Sequence, residues 1–162
     1  MYGNNYGILG QPAPLWSVDQ WINLPVGKTN LDLSDYENQL LYLYCFQSWC
    51  PGCHSHGFPA LNAVKDHYQN NNDVAFVTIQ TVFEGFHANT FDQAKEIAQK
   101  FKLSIPVGHD PGLEGARSII MDRYRTGGTP WTILIDKQGI VQFNDFQVQP
   151  QKMVEIIDGL LE

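Results

Sequence analysis

The chain has 162 residues, 43% hydrophobic and 12% aromatic, which is enough apolar material for one domain with a sizeable core. A formal net charge of −7 with no basic cluster argues against nucleic acid as a partner. Three cysteines are too few for a disulfide framework, and no apolar run approaches the length of a membrane span.

The chain is expected to form a single domain over residues 1–162, with residues 1–38 as an N-terminal extension. Met1 to Leu15 is rich in Gly, Asn and Pro and has neither the basic nor the apolar segment of a signal peptide. With Met1 as the natural start, the expected compartment is the cytoplasm. Gln11 to Pro14 is held extended by its prolines. Leu15 to Leu24 (LWSVDQWINL) reads as a strand with a turn, the first half of a hairpin closed by Pro25-Val26-Gly27. Asn30 to Tyr36 reads as a short strand and a helical turn, with Ser34 as N-cap and Glu37 as its capping-box partner. This extension is expected to cover a sheet edge.

Leu40 to Phe46 is a continuous apolar run of strand length, the pattern of a strand buried on both faces. Phe58, Leu61, Val64 and Tyr68 recur at helical spacing, and Pro59 should kink that helix if it already begins at Pro51. Asn70 to Asp73 breaks the chain. Val74 to Gln80 is a second buried strand, and Thr81 to Asn89 an irregular loop. Thr90 caps a helix whose apolar face is Phe91, Ala94, Ile97, Ala98 and Phe101. Leu103 to Val107 reads as a short strand ending at Gly108-His109-Asp110-Pro111, followed by a helix within 113–124. Gly127-Gly128-Thr129-Pro130 leads into a strand from Trp131 to Ile135. Asp136 to Gly139 is a hairpin turn, and Ile140 to Phe143 returns antiparallel. Pro150 opens a last helix with Met153, Ile156, Ile157, Leu160 and Leu161 facing inward. Strands alternating with helices in this order predict a layered α/β fold with a mixed sheet.

The chemistry concentrates at Trp49-Cys50-Pro51-Gly52-Cys53, between the first buried strand and its helix. A helix start carries unpaired N–H groups and the positive end of the dipole, so Cys50 should ionise more readily than a free cysteine. Cys53 lies one turn on, close enough to attack a mixed disulfide at Cys50. A copper or zinc module built from Cys50, Cys53 and His56 is the alternative, with His54 as a further nitrogen. Against it, no second C-x-x-C is present, and the adjacency of Cys53 and His54 suits one tetrahedral centre poorly. Cys45, inside the apolar strand, reads as a small buried residue.

WCPGC after an apolar strand, a proline in the following helix, Gly-Thr-Pro before a strand, and a closing hairpin and helix together resemble the thioredoxin fold. The extra helix and strand and the N-terminal extension make the chain similar to the TlpA/ResA-like, peroxiredoxin-related redoxin branch, over about Pro12 to Leu161. The resemblance implies a thioredoxin-like three-layer α/β/α domain with a central mixed sheet, an N-terminal β extension and an inserted helix–strand. It implies a thiol–disulfide oxidoreductase, with Cys50 attacking and Cys53 resolving. It implies a cis peptide at Thr129-Pro130, and a substrate edge formed by Trp49, Thr129 and Pro130. No cofactor is implied beyond a redox-active Cys50–Cys53 disulfide. The implied partners are a protein or small-molecule disulfide or thiol, and a reductant such as thioredoxin or a low-molecular-weight thiol. Neither nucleic acid nor membrane is among them.

The chain departs from the family pattern in several places. Thioredoxins bury an acidic residue six positions before the first cysteine, where this chain has Tyr44. TlpA-like proteins often carry Glu three residues after the second cysteine, where His56 stands, and their helix proline one position earlier than Pro59. Proton transfer to or from Cys53 therefore falls to His56 or Glu84 as candidates. The peroxidase relatives use P-x-x-x-T-x-x-C. Here those positions hold Leu43 and Gln47, so a thiol peroxidase is the second enzymatic alternative rather than the first.

Overall fold

The computed structural model describes residues 6–113, 116–146 and 149–162. Six strands form one open mixed sheet in the order β1-β4-β3-β2-β5-β6. In chain order these are β1 (Gln20–Ile22), β2 (Leu40–Phe46), β3 (Val74–Thr81), β4 (Val107–Asp110), β5 (Trp131–Ile135) and β6 (Val141–Phe146). β2, β3 and β4 run parallel, while β5 is antiparallel to β2, β6 to β5, and β1 to β4. The helices are α1 (Phe58–His67), α2 (Phe91–Lys100), α3 (Ile119–Tyr124) and α4 (Pro150–Leu161).

Alternation along β2 divides the interior in two. Leu40, Tyr42, Tyr44 and Phe46 face α1, α2 and α4, packing with Phe58, Leu61, Val64, Ala94, Ile97, Met153 and Ile157. Leu41, Leu43 and Cys45 face the other way, onto Trp16, Val18, Leu31, Ile120 and Tyr124. Helices on one side, and α3 with the N-terminal segment on the other, give the three layers and the thioredoxin-like α/β architecture that the motif order implies. All seven β2 side chains are buried. At about 1.5–3 kcal/mol for each fully buried large apolar side chain, this strand is a main anchor of the fold.

Several elements differ from the sequence expectation. The N-terminal stretch forms no hairpin. Only Gln20–Ile22 is a strand, and it pairs with β4, Gln20 opposite His109. Left-handed backbone at Ser17 (φ 56°) and Asn23 (φ 62°) breaks the extension on both sides. The short helical turn Leu33–Tyr36 is capped by Asp32, not Ser34, and its box partner is Asp35, not Glu37. A carboxylate at Asp32 also accepts the Trp16 N–H at 3.0 Å, a bond the shorter Ser34 hydroxyl two residues on does not make. The fourth strand is displaced C-terminally, to Val107–Asp110. His109 and Asp110, expected in a turn, are buried because both have partners. Gln80 reaches His109 at 3.1 Å, while the Asp110 carboxylate accepts from the Ser118 hydroxyl at 2.5 Å and from the N–H groups of Ile119 and Ile120. Asp110 thereby starts α3 at Ile119, later than the 113–124 window suggested; residues 114–115 of that window lie outside the described residues. β6 continues to Phe146. Thr90 caps α2 as expected, accepting the Gln93 N–H at 3.2 Å.

The helix that follows the cysteines begins at Pro51 and does not simply kink at Pro59. Cys53–Gly57 widens into a π turn, with the Phe58 N–H reaching back to the Cys53 carbonyl. Proline removes one ladder bond and crowds the carbonyl four residues back, and the wide turn absorbs both effects along with one additional residue.

Trp16 joins the extension to α3. It is fully buried, and its indole N–H donates to the Tyr124 hydroxyl at 3.2 Å, which in turn donates to the Pro14 carbonyl. Trp16→Ala should therefore lower unfolding free energy by about 3–5 kcal/mol, whereas Val26→Ala, at a fully exposed position, should change it by less than about 0.5 kcal/mol. Urea denaturation of the two variants checks this; equal effects would mean that the extension is not part of the core.

Candidate active site

The site forms where β2 ends and helical geometry begins. Gln47, Ser48 and Trp49 make the bend, and the Cys50 N–H donates to the Gln47 carbonyl at 3.2 Å. Pro51 takes the first helical position, where its missing N–H would be unpaired in any case. The Cys53 N–H, one of the free donors of the first turn, is shared between the Cys50 carbonyl and the Cys50 Sγ, each at 3.2 Å.

The two thiols are pushed in opposite directions. Cys50 is lowered to about 6, chiefly by the Cys53 side chain, with help from the Thr129 hydroxyl and the N–H groups of Cys53 and Gly52, and against its own burial. Cys53 has no solvent exposure. Burial first, and then Cys50, push its thiol far above the ordinary cysteine range. Cys45 lies on the opposite face of β2, where burial and the Asp110 charge raise it as well. The three cysteines are unpaired in this structure.

Opposite the cysteines, the Thr129–Pro130 peptide bond is cis. A Cβ added at Gly52 would lie 3.3 Å from Pro130 Cδ, and one at Gly57 would lie 3.1 Å from Pro130 Cβ. The Pro130 ring therefore packs directly on the first turns of the cysteine helix. Trp49, Cys50, Pro51, Phe83, Glu84 and Thr129 line an open groove of about 500 Å³. Trp49 presents about half its surface to solvent there. The structure thus gathers Trp49, Cys50, Thr129 and Glu84 in one place, with Pro130 packed beside them and Cys53 buried next to Cys50. His56 is exposed, does not line the groove and makes no hydrogen bond. Glu84 is also exposed and does not bond to either cysteine. Among the described residues no three His, Cys, Asp or Glu side chains gather where they could hold one metal ion, so Cys50, Cys53 and His56 are not brought together as a ligand set.

What the sequence did not disclose is the set of buried neutral side chains that fixes the bend. Gln80 Oε1 accepts from the Ser48 N–H at 2.8 Å and from its hydroxyl at 2.5 Å. Gln80 Nε2 donates to the Thr90 carbonyl at 2.9 Å and to His109 Nδ1. Asn89 Oδ1 accepts the Trp49 N–H at 3.0 Å, and Gln47 Oε1 accepts the Phe83 N–H at 3.1 Å. On the outer side, Lys100 Nζ donates to His54 Nδ1 at 2.6 Å, leaving His54 Nε2–H to donate to the Ser48 carbonyl at 2.6 Å. The sequence signal is present but faint: Gln47 follows an apolar strand directly, and Gln80 stands near the end of a mostly apolar one.

A model of the AhpC/TSA family matches residues 9–144. Among solved structures, a thioredoxin-like superfamily protein is 34% identical, with a TM-score of 0.84 and coverage of 93% of this chain and 96% of that one. A thiol-disulfide isomerase from Corynebacterium glutamicum is 30% identical, with a TM-score of 0.79 and coverage of 93% and 97%. A thiol:disulfide interchange protein of the thioredoxin family from Chlorobium tepidum, at 18% identity, 96% and 99% coverage and a TM-score of 0.70, shares the fold. No curated protein sequence matched the chain.

The asymmetry of the thiols has a direct readout. Only the thiolate is nucleophilic, so the alkylation rate of Cys50 should rise as pH increases through about 6 and then level off. Cys53 and Cys45 should remain unlabelled at neutral pH in the folded protein. Brief iodoacetamide treatment followed by peptide mass spectrometry measures all three at once. Equal labelling of the three cysteines, or a Cys50 midpoint at the ordinary thiol value, would contradict the electrostatics described.

Proposed function

Because this chain belongs to the AhpC/TSA family, a redoxin family of thioredoxin-like fold, we propose that it is a thiol–disulfide oxidoreductase whose working couple is Cys50 and Cys53. The observation that carries this is the pairing of a groove-lining sulfur lowered to about 6 with a fully buried sulfur one turn away. Cys50 is the attacking thiolate. It displaces one half of a partner disulfide as a thiolate and holds the other half in a mixed disulfide. Cys53 then attacks the Cys50 sulfur, the second half leaves, and a Cys50–Cys53 disulfide remains. The partner has gained two electrons and the protein has lost two. The same steps run backwards if the oxidised protein meets a dithiol.

The partner is a protein or small-molecule disulfide or thiol. Trp49 offers it an apolar platform, and the Thr129 backbone next to Pro130 offers an edge on which an extended segment can add as a strand. Thioredoxin or a low-molecular-weight thiol returns the couple to its reduced form. No metal or organic cofactor takes part. Among the described residues, no helix is long and apolar enough to cross a membrane.

Trapping with serine variants tests the assignment of roles. Cys53→Ser should accumulate a mixed disulfide through Cys50, because no neighbouring thiolate remains to displace the partner. Cys50→Ser should form none, and Cys45→Ser should exchange like the wild type. Adducts forming equally through Cys53 and Cys50 would reject the directional couple. Rapid sulfenic acid at Cys50 under peroxide, with no trapped thiol partner, would favour the peroxidase alternative.

A further inference from the structure

We propose that the Tyr44 hydroxyl is a built-in hydrogen-bond donor for the Cys53 thiolate, taking the place that a buried acid holds in thioredoxins. This rests on the Cys50–Cys53 couple proposed above.

Tyr44 is fully buried, and its hydroxyl has no hydrogen-bond partner. The described residues hold four such buried oxygens, on Tyr44, Thr81, Thr126 and Thr132, each costing about 1–3 kcal/mol if left orphaned, and the Tyr44 oxygen is the one set against Gly57 of the cysteine helix. The oxygen is also held in place. The Tyr44 ring stacks at 6.4 Å from Phe46 and meets the edge of Phe58 at 5.0 Å, so it has little room to swing. A Cβ on Gly57 would stand 1.8 Å from the Tyr44 oxygen and 2.6 Å from Cζ. That Cβ would also press on Pro130 at 3.1 Å. Only glycine leaves the oxygen its space, and Gly57 closes the π turn that Cys53 opens. The hydroxyl therefore occupies a pocket bounded by the cysteine helix and Pro130, on the Cys53 face of β2.

The chemistry of the group suits a donor and not a base. Burial above all, and then a charge on Cys53, hold the phenol well above its ordinary value, so it stays protonated throughout the working range. A phenol O–H can rotate to offer its hydrogen to a sulfur that becomes negative, and hydrogen bonds to ionised acceptors are the strong ones. A hydrogen bond from this phenol would lower Cys53, against the larger opposing effect of burial. His56 and Glu84, the candidates from sequence, are exposed and bond to neither cysteine.

In the resolving step the Cys53 thiol gives up its proton to water, and its thiolate attacks the Cys50 sulfur. The bond between Cys50 and the partner breaks, the Cys50–Cys53 bond forms, and the partner leaves as a thiolate that takes up a proton. Tyr44 keeps its own proton and stabilises the charge on Cys53 before the attack.

A chromogenic aromatic disulfide, mixed with one equivalent of reduced protein, separates the two steps. The first thiolate is released when Cys50 attacks and the second when Cys53 resolves. Tyr44→Phe should leave the first phase within about threefold of the wild type and slow the second roughly 10- to 100-fold. It should also move the pH midpoint of the second phase upward, with the unfolding midpoint unchanged or raised. A second phase of wild-type rate and pH midpoint would overturn the proposal. So would an equal slowing of both phases without a pH shift, which would mark Tyr44 as packing only. Cys53→Ser serves as the reference. It should abolish the second phase, and if that phase survives in it the couple itself is wrong, whatever Tyr44 does.

Discussion

Every side chain of β2 is buried, and its pleat sends consecutive residues into two separate cores. That constraint organises the molecule. The strand must end where the helix begins, so the cysteine motif sits at the carboxyl end of β2, with the first-turn Cys53 N–H turned to the Cys50 sulfur. The even positions carry Tyr44 and Phe46 to the reactive side, against Phe58 and the cysteine helix. The odd positions carry Cys45 to the far side. Three thiols in one short segment could scramble among themselves, but a β-sheet stands between one of them and the other two. Shifting β2 by one residue would exchange these roles completely.

The cysteine helix is adapted to what lies under it. A π turn over Cys53–Gly57 follows the motif immediately and brings Gly57 against Tyr44 and Pro130. A π turn accommodates a single additional residue ahead of Pro59. Local departure from α geometry, the glycine and the buried tyrosine are thus three parts of one arrangement. None of them alone would stand out in a sequence.

Much of the fold was legible because its signals are local or periodic. The apolar runs of β2, β3 and β5 and the Thr90-capped stripe of α2 needed no tertiary knowledge. β4 lies beyond the sequence expectation because its polar residues, His109 and Asp110, look like turn chemistry until Gln80 and the start of α3 supply partners from elsewhere in the chain. The extension was misread for the same reason, since the mate of β1 is β4, more than eighty residues away in sequence. At the site, the C-x-x-C and the distant Thr-Pro stand out by spacing. The amides Gln47, Gln80 and Asn89 do not, because hydrogen-bonding to a loop backbone leaves no periodic trace. His56 and Glu84 drew notice as titratable groups close in sequence to the motif, yet closeness along a helix or loop says little about which way a side chain faces.

The amide framework around the bend also decides how the site responds to its surroundings. Gln47, Ser48, Gln80 and Asn89 carry no charge at any ordinary pH, and His109, the titratable member, is driven toward its neutral form by burial. Neutral hydrogen bonds inside a protein are barely screened by salt and do not titrate. Ionic strength and acidity therefore act on the sulfur, on the approach of a charged partner and on the outer Lys100–His54–Ser48 contacts, while the buried amides that aim the sulfur keep their bonds. The reactivity of the thiol can vary with conditions without the geometry varying with it, a separation that a carboxylate-anchored loop would not have.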